Sequence, residues 1–166
     1  MVPYDLSWPQ TYRYLAARIS GALTVQHRLE HVGSTAVPGL AAKPIIDIDL
    51  VVVGAAAEVG QAIAELALLG YGHKGDLGIV GREAFDPPEG VAYHHLYVVV
   101  AGSLPLRDHL DLRDFLRAHP AQAQRYGEEK VRLAPLLLTD REAYGSAKQP
   151  LVEELTALAR SSSWSS

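Results

Sequence analysis

The 166-residue chain contains no cysteine, so neither a disulfide nor a thiolate-held metal contributes to its fold or chemistry. It has no apolar run near the ~20 residues that a membrane-spanning helix needs. Its first residues, MVPYDLSWPQTY, lack the basic-then-apolar layout of a secretory signal. The expectation is a cytoplasmic enzyme or binding protein that does not enter a membrane. Basic excess is also missing: residues 1–50 carry four Lys/Arg against four Asp/Glu, residues 51–100 two against six, and residues 101–166 nine of each. A partner that wraps long nucleic acid would need a dense basic stripe. Long nucleic acid is therefore not expected, whereas a nucleotide or other phosphorylated small molecule needs only a few donors. No internal repeat is visible.

What is present is an ordinary globular composition, 48% hydrophobic and 20% charged. The length suits one domain. Ser7 as N-cap, Pro9 in the first turn, and Tyr12, Leu15, Ala16, Ile19 and Leu23 at helical spacing predict a helix over residues 8–23. TVQHRLEHV (24–32) reads as a strand ending at Gly33. IIDIDLVVV (45–53), bounded by Pro44 and Gly54, reads as a central strand. A helix over 55–69 closes at Gly70. Residues 71–90 read as loop and short strand, with Glu83 and Asp86 in loop, and VAYHHLYVVV (91–100) as a further strand. From Pro105 onward the spacing of Leu106, Leu110, Leu112, Phe115 and Leu116 is helical, and a final helix covers roughly 140–160. The terminal SSSWSS reads as a disordered end. The order implies an α+β domain with a helical C-terminal part.

Two aspartates interrupt the central strand. Residues i and i+2 of a strand share a face, about 6.6–7 Å apart, so Asp47 and Asp49 lie opposite Ile46, Ile48 and Leu50. Two buried, unpaired carboxylates would be very costly. Either they pair with Lys43, Arg28 or Arg82 at a strand end, or a cation sits between them. Mg²⁺ suits the second case, being held by one or two carboxylates together with substrate phosphates. Upstream, Gly33 permits close approach of backbone to a ligand. Ser34 and Thr35 add hydroxyls, and successive amides in such a turn can cradle an anion. Twelve residues separate Ser34 from Asp47, enough for a turn and short helix that would set a phosphate cradle beside a metal-holding strand.

Gly-Ser, a spacer of this length, then Asp-x-Asp among apolar residues resembles the nucleotidyltransferase signature of the DNA polymerase β superfamily. More narrowly, EHVGSTAVPGLAAKPIIDIDLVV resembles the core motif of the GrpB family. LRDFLRAHP (112–120), Tyr126 with Lys130, and YGSAKQPLV (144–152) resemble later blocks of that family. The resemblance implies a nucleotidyltransferase-like mixed β-sheet flanked by helices, as one domain over 1–160 (sheet-bearing 1–104, helical 105–160), with 161–166 as tail. It implies Asp47 and Asp49 as catalytic metal ligands for Mg²⁺ or Mn²⁺, and transfer of a nucleotidyl group from a nucleoside triphosphate to a small acceptor. The alternative is an inactive nucleotide- or coenzyme A-precursor-binding module acting with dephospho-CoA kinase, to which related domains are fused in some bacteria. Members usually add a third carboxylate from a neighbouring strand, but 91–100 offers only His94 and His95. The family pattern favours His95 as the site residue and possible metal ligand; an imidazole suits Mn²⁺ or Zn²⁺ better than Mg²⁺.

Further candidates each have a structural alternative. Lys43 could meet a phosphate or pair with the aspartates. Arg82, in a glycine-flanked loop, could contact phosphate. Arg113 and Arg117 share a helical face; with Asp114 pointing elsewhere, Arg113 would be free to clamp a phosphate, while Arg117 would sit on a solvated face. Lys130 and Lys148 are phosphate candidates, each four residues after a tyrosine, and Tyr126 packs. His31 packs beneath the turn.

Overall fold

A computed structural model describes residues 1–162. Helix α1 (Trp8–Ser20) is followed by β1 (His27–Val32), a 3-10 turn (Ser34–Ala36), β2 (Ile46–Val52), α2 (Ala56–Leu68), β3 (Gly72–His73), β4 (Arg82–Asp86) and β5 (His94–Val100). The remainder is helical: α3 (Leu104–Ala118), α4 (Pro120–Leu133), α5 (Leu136–Thr139) and α6 (Arg141–Ser162). The five strands form one mixed sheet in the order β1-β2-β5-β4-β3, with β2 and β5 parallel and the other pairs antiparallel. The α+β class and the mixed sheet expected from the sequence are thus observed.

The elements fall within a few residues of the expected ones. Helix α1 stops at Ser20 rather than 23, because Gly21 interrupts it, and β1 begins at His27. Ser7 occupies the N-cap position but makes no side-chain cap; its own amide is taken by Asp5 Oδ1 at 2.7 Å. Glu83 and Asp86 belong to strand β4, not loop, since pairing with β3 and β5 orders a segment too short to announce itself by alternation. Helix α6 includes Ser161 and Ser162; the rest of the expected tail, 163–166, lies outside the described residues.

Strand alternation divides the sheet chemically. Ile46, Ile48, Leu50 and Val52 join Leu96 and Val98 of β5 in a core closed by Leu15 and Ile19 of α1 and by Ala62 and Leu66 of α2. Each aliphatic side chain removed from water there contributes roughly 1.5–3 kcal/mol. The other face presents Asp47, Asp49 and Val51, in register with His95, Tyr97 and Val99. Only the Val51 and Val99 end is apolar, packed under Leu106 of α3. A second cluster joins Val37 and Leu40 of the connecting loop to Phe115 and Leu116 of α3, Ala123 and Tyr126 of α4 and Leu155 of α6. The helical part therefore docks on the loop after the Gly-Ser-Thr turn as well as on the sheet, and the polar start of β2 is left at the seam.

Candidate functional site

The two motifs meet at Gly33. Its backbone has φ +70° and ψ −170°, a region essentially reserved for glycine. A Cβ there would lie 2.3 Å from Asp47 Oδ2, so the absence of a side chain lets the carboxylate rest directly against the turn. Around this junction a cleft of about 250 Å³ is lined by Ser34, Thr35, Lys43, Asp47, His95 and Lys130, with Tyr144 and Lys148 contributed by α6. The structure thus gathers the turn, one aspartate, one histidine and three lysines from separate segments around one space.

Each polar group in the cleft has a definite setting. His95, in register with Asp47 on β5, donates from Nδ1 to Asp47 Oδ1 at 2.7 Å. Thr35 is buried and its Oγ1 is hydrogen-bonded to His31 Nε2 at 3.0 Å. His31 packs beneath the turn, stacked on Tyr12 with ring centroids 4.6 Å apart. Burial, aided by the charges of Arg117 and Arg113 against Asp47, pulls its pKa down to about 4. Lys130 Nζ donates to Ser34 Oγ at 2.8 Å. Lys130 is 2% exposed; its ammonium also donates to the carbonyl of Ala41 and lies 4.8 Å from the Tyr126 ring centroid. Burial, then the neighbouring charge of Lys148, lowers its pKa to about 7, with Asp47 opposing. Burial likewise lowers Lys43 and Lys148, which lie 5.3 and 5.7 Å from the Tyr144 ring centroid. The three amines repel one another across the cleft, a repulsion that negative charge placed there would relieve.

Asp49 stands apart. It is 0% exposed, one residue deeper along the same strand face. His109 of α3 donates from Nδ1 to its Oδ2 at 2.8 Å, while Oδ1 is buried with no hydrogen-bond partner among the described residues. Burial raises the Asp49 pKa against the opposing His109 bond. For His109, burial pulls downward, but the bond to Asp49 and its charge outweigh it and leave the imidazole raised. The sequence expectation did not include His109; a lone histidine on an amphipathic helix carries no spacing signal, and only docking of α3 on the sheet pairs it with Asp49.

The arginines are committed elsewhere. Arg113 Nη1 donates to Glu30 at 2.9 Å and to the His31 carbonyl at 3.1 Å, while Nε and Nη2 hold Asp114 at 2.7 and 3.0 Å. The expectation that Asp114 points away is overturned, because its exposed carboxylate folds back along the helix to the guanidinium. Arg113 fastens α3 to β1 and does not line the cleft. Arg117 is not simply solvated: its Nε donates to the Ala36 carbonyl at 2.8 Å and secures the end of the turn. Arg82 begins β4, with its guanidinium 4.5 Å from the Tyr97 ring centroid, on the Asp49 side, and does not line the cleft.

Among the described residues no three His, Asp or Glu side chains are arranged to hold a metal by themselves. What the chain offers is narrower: Asp47 Oδ2 beside the turn, and the unpartnered Asp49 Oδ1 on the same strand face. An all-protein cage is absent among the described residues. Asp47, on the cleft wall, has the chemistry to take a hard cation that arrives with phosphate oxygens, whereas Asp49 shares its strand face but does not line the cleft.

Comparison with known proteins gives the family and the fold. A family model described as GrpB protein matches residues 1–158. A relative from Pseudomonas aeruginosa, UPF0157 protein PA4798, is 39% identical over 163 residues, 93% of this chain and 65% of that protein. UPF0157 protein BH1888 of Halalkalibacterium halodurans is 34% identical over 157 residues, covering 93% of this chain and 79% of the other. Bacillus subtilis YqkA is 40% identical over 106 residues, 64% of this chain. The chain spans 65% and 31% of the Pseudomonas and Bacillus proteins' lengths. In three dimensions it resembles the crystal structure of a GrpB protein from Enterococcus faecalis, with TM-score 0.86, 28% identity and 98% coverage of both chains. A cytoplasmic RNA terminal U-transferase shares the fold at TM-score 0.51 and 16% identity, over 78% of this chain and 43% of that one. The sheet is therefore nucleotidyltransferase-like.

Proposed function

The chain belongs to the GrpB family, and on that premise we propose that its cleft binds a nucleoside triphosphate with Mg²⁺ or Mn²⁺ and passes the nucleotidyl group to a small acceptor. The observation that carries this reading is the convergence of Lys43, Lys130 and Lys148 with the Ser34–Thr35 turn on a cleft walled by Asp47. Anion-binding and cation-binding groups share one space of phosphate dimensions. In this reading the backbone at Gly33, with Ser34 and Thr35, seats the phosphates, and the lysines neutralise them from three sides. Asp47 and Asp49 would hold the divalent ion, which supplies charge neutralisation at the phosphates when bound. His95 orients Asp47 through its Nδ1 bond. Tyr126 backs the Lys130 ammonium. The protein's contribution is positioning and preorganised charge rather than proton chemistry. Arg82 and Arg113, expected from the sequence as phosphate contacts, act here by holding the Asp49 side of the sheet and the α3–β1 junction.

The test is a thermal-shift series with the four nucleoside triphosphates and coenzyme A precursors, each with and without Mg²⁺ or Mn²⁺. A triphosphate at about 100 times its Kd stabilises by ~2.7 kcal/mol, a rise of roughly 5–10 °C for a domain of this size. Asp47→Asn combined with Asp49→Asn should abolish the metal-dependent part of the rise; an unchanged metal-dependent rise in that variant overturns the assignment of the aspartates.

A second reading rests on a specific observation. The register position beside Asp47, where an active member would carry a further acid, is His95. A binding module for a nucleotide or coenzyme A precursor, working with dephospho-CoA kinase, would bind with equal affinity in the presence and absence of metal and release no pyrophosphate.

A further inference from the structure

Building on the nucleotide reading above, we propose that the cleft reads the polyphosphate chain of its ligand alone: the phosphates supply the affinity, and neither base nor sugar is selected.

The make-up of the wall carries this. Three of the chain's four lysines, Lys43, Lys130 and Lys148, line the cleft, and no arginine does. The fourth, Lys74, is paired with Asp86, whereas the three in the cleft form no ion pair among the described residues. An ammonium is a compact point charge with rotatable donors, whereas the planar fork that selects one geometry belongs to arginine. Against the three amines stands one carboxylate, Asp47, so the wall keeps a positive excess for a polyanion. Selecting a base would take donors and acceptors matched in pairs to one base edge, as side-chain amides are. The chain has no asparagine, and none of its glutamines lines the cleft. Thr35 is held by His31. The Ser34 and Tyr144 hydroxyls can each donate or accept, so neither tells one base edge from another.

The space encloses no more than the phosphates. At about 250 Å³ the cleft falls below the roughly 300–1,000 Å³ that encloses a drug-sized ligand, so a whole nucleotide exceeds it. Tyr144 offers no free stacking face, because Lys43 and Lys148 already lie over its ring, 5.3 and 5.7 Å from the centroid. The imidazole of His95 is tied to Asp47. Nor does a neighbouring cavity receive the base. A roomier groove of about 950 Å³, between the 38–41 loop and helices α3 and α4, shares no lining residue with the cleft among the described residues. Consecutive residues of the loop face different spaces, Ala41 the groove and Ala42 the cleft. Lys130 fastens α4 to this divide through the Ala41 carbonyl. Gly127 brings the helix so near that a Cβ there would stand 3.2 Å from Leu40 Cδ1. The nucleoside is therefore left outside, in solvent.

The experiment is titration calorimetry of the full chain with the Mg²⁺ complexes of the four nucleoside triphosphates, of ADP, and of methyl triphosphate. Methyl triphosphate has the charge of a nucleoside triphosphate but neither base nor sugar. The five triphosphates should bind with dissociation constants within about tenfold of one another, since even one well-fitted apolar group of a base pocket opens a gap of that size. ADP, one phosphate shorter, should bind more weakly than methyl triphosphate. Lys148→Met should weaken all five triphosphates alike, by roughly tenfold or more. The comparison among ligands is made on the wild-type chain and does not depend on that variant folding. Methyl triphosphate that binds more than about tenfold more weakly than any nucleoside triphosphate, or more weakly than ADP, overturns this inference and leaves the nucleotide reading standing. Unchanged constants in Lys148→Met also overturn it. If methyl triphosphate binds and no nucleoside triphosphate does, the nucleotide reading falls and recognition of the phosphate chain stands. If none of them binds, both fall together.

Discussion

Replacing Gly33 by alanine tests the junction on which the site depends. The backbone at φ +70°, ψ −170° costs an alanine about 1–3 kcal/mol. The new methyl would stand 2.3 Å from Asp47 Oδ2 and 2.9 Å from its Cγ, far inside ordinary contact, so the carboxylate or the turn must yield. The carboxylate cannot retreat freely, because His95 holds Oδ1 at 2.7 Å. Giving up a hydrogen bond to a charged group costs about 1.5–3 kcal/mol when buried. Asp47 and His95 are partly solvated, with side chains 26% and 32% exposed, so the lower part of that range applies. Together the terms give roughly 2–4 kcal/mol, or a fall in Tm of about 5–15 °C by calorimetry. The two terms are separable. In the background of Asp47→Ala the two closest contacts are gone and only the 3.1 Å approach to the residue's Cβ and the backbone part remain, so a double-mutant cycle should show a coupling of about 1–2 kcal/mol between the sites. A fall of less than about 2 °C in Gly33→Ala, or strict additivity with Asp47→Ala, would refute the claim that the turn and the aspartate strand are in enforced contact.

His31 takes up a proton at 6.5 when unfolded but only at about 4 in the fold. The unfolded state therefore binds more protons between those values, and stability should fall by roughly 2–3 kcal/mol as pH drops from 6.5 to 4. Urea titrations at pH 7.5 and 4.5 measure this, and a pH-independent midpoint would contradict it. Lys130, lowered to about 7 by burial, should be driven to its ammonium form when a polyanion enters beside Lys43, Lys148 and Asp47. Titration calorimetry of inorganic triphosphate at pH 8 in buffers of different ionisation enthalpy should show net proton uptake, lost in Lys130→Met. Arg113→Ala removes the bonds to Glu30 and the His31 carbonyl and should cost about 1.5–3 kcal/mol of stability. Its triphosphate affinity should stay within about threefold of the wild type; a tenfold loss would return Arg113 to the phosphate-binding set.

Much of this architecture is dictated locally. The alternation of Ile46, Ile48 and Leu50 with Asp47 and Asp49 requires a strand with one apolar and one acidic face, because side-chain direction in a strand has period two. Gly33 before two hydroxyl residues requires a sharp turn upstream of it. The helical run from Pro105 is set by its apolar spacing, and the joined turn and strand motifs carry the family resemblance. None of this says which partner each polar group finds. That His109 covers Asp49, that Arg113 turns to Glu30 and Asp114 rather than to the cleft, and that Lys130 reaches Ser34 from 96 residues away along the chain depend on how α3, α4 and α6 dock. Docking is decided by the apolar cluster around Leu40, Phe115, Tyr126 and Leu155. Hydrophobic burial is non-directional and acts between segments distant in sequence, so it leaves no periodic trace of which polar neighbours it brings together. The sequence by itself determined the elements, the acidic face and the turn; only the tertiary structure decided which charges meet in the cleft and which are spent holding it.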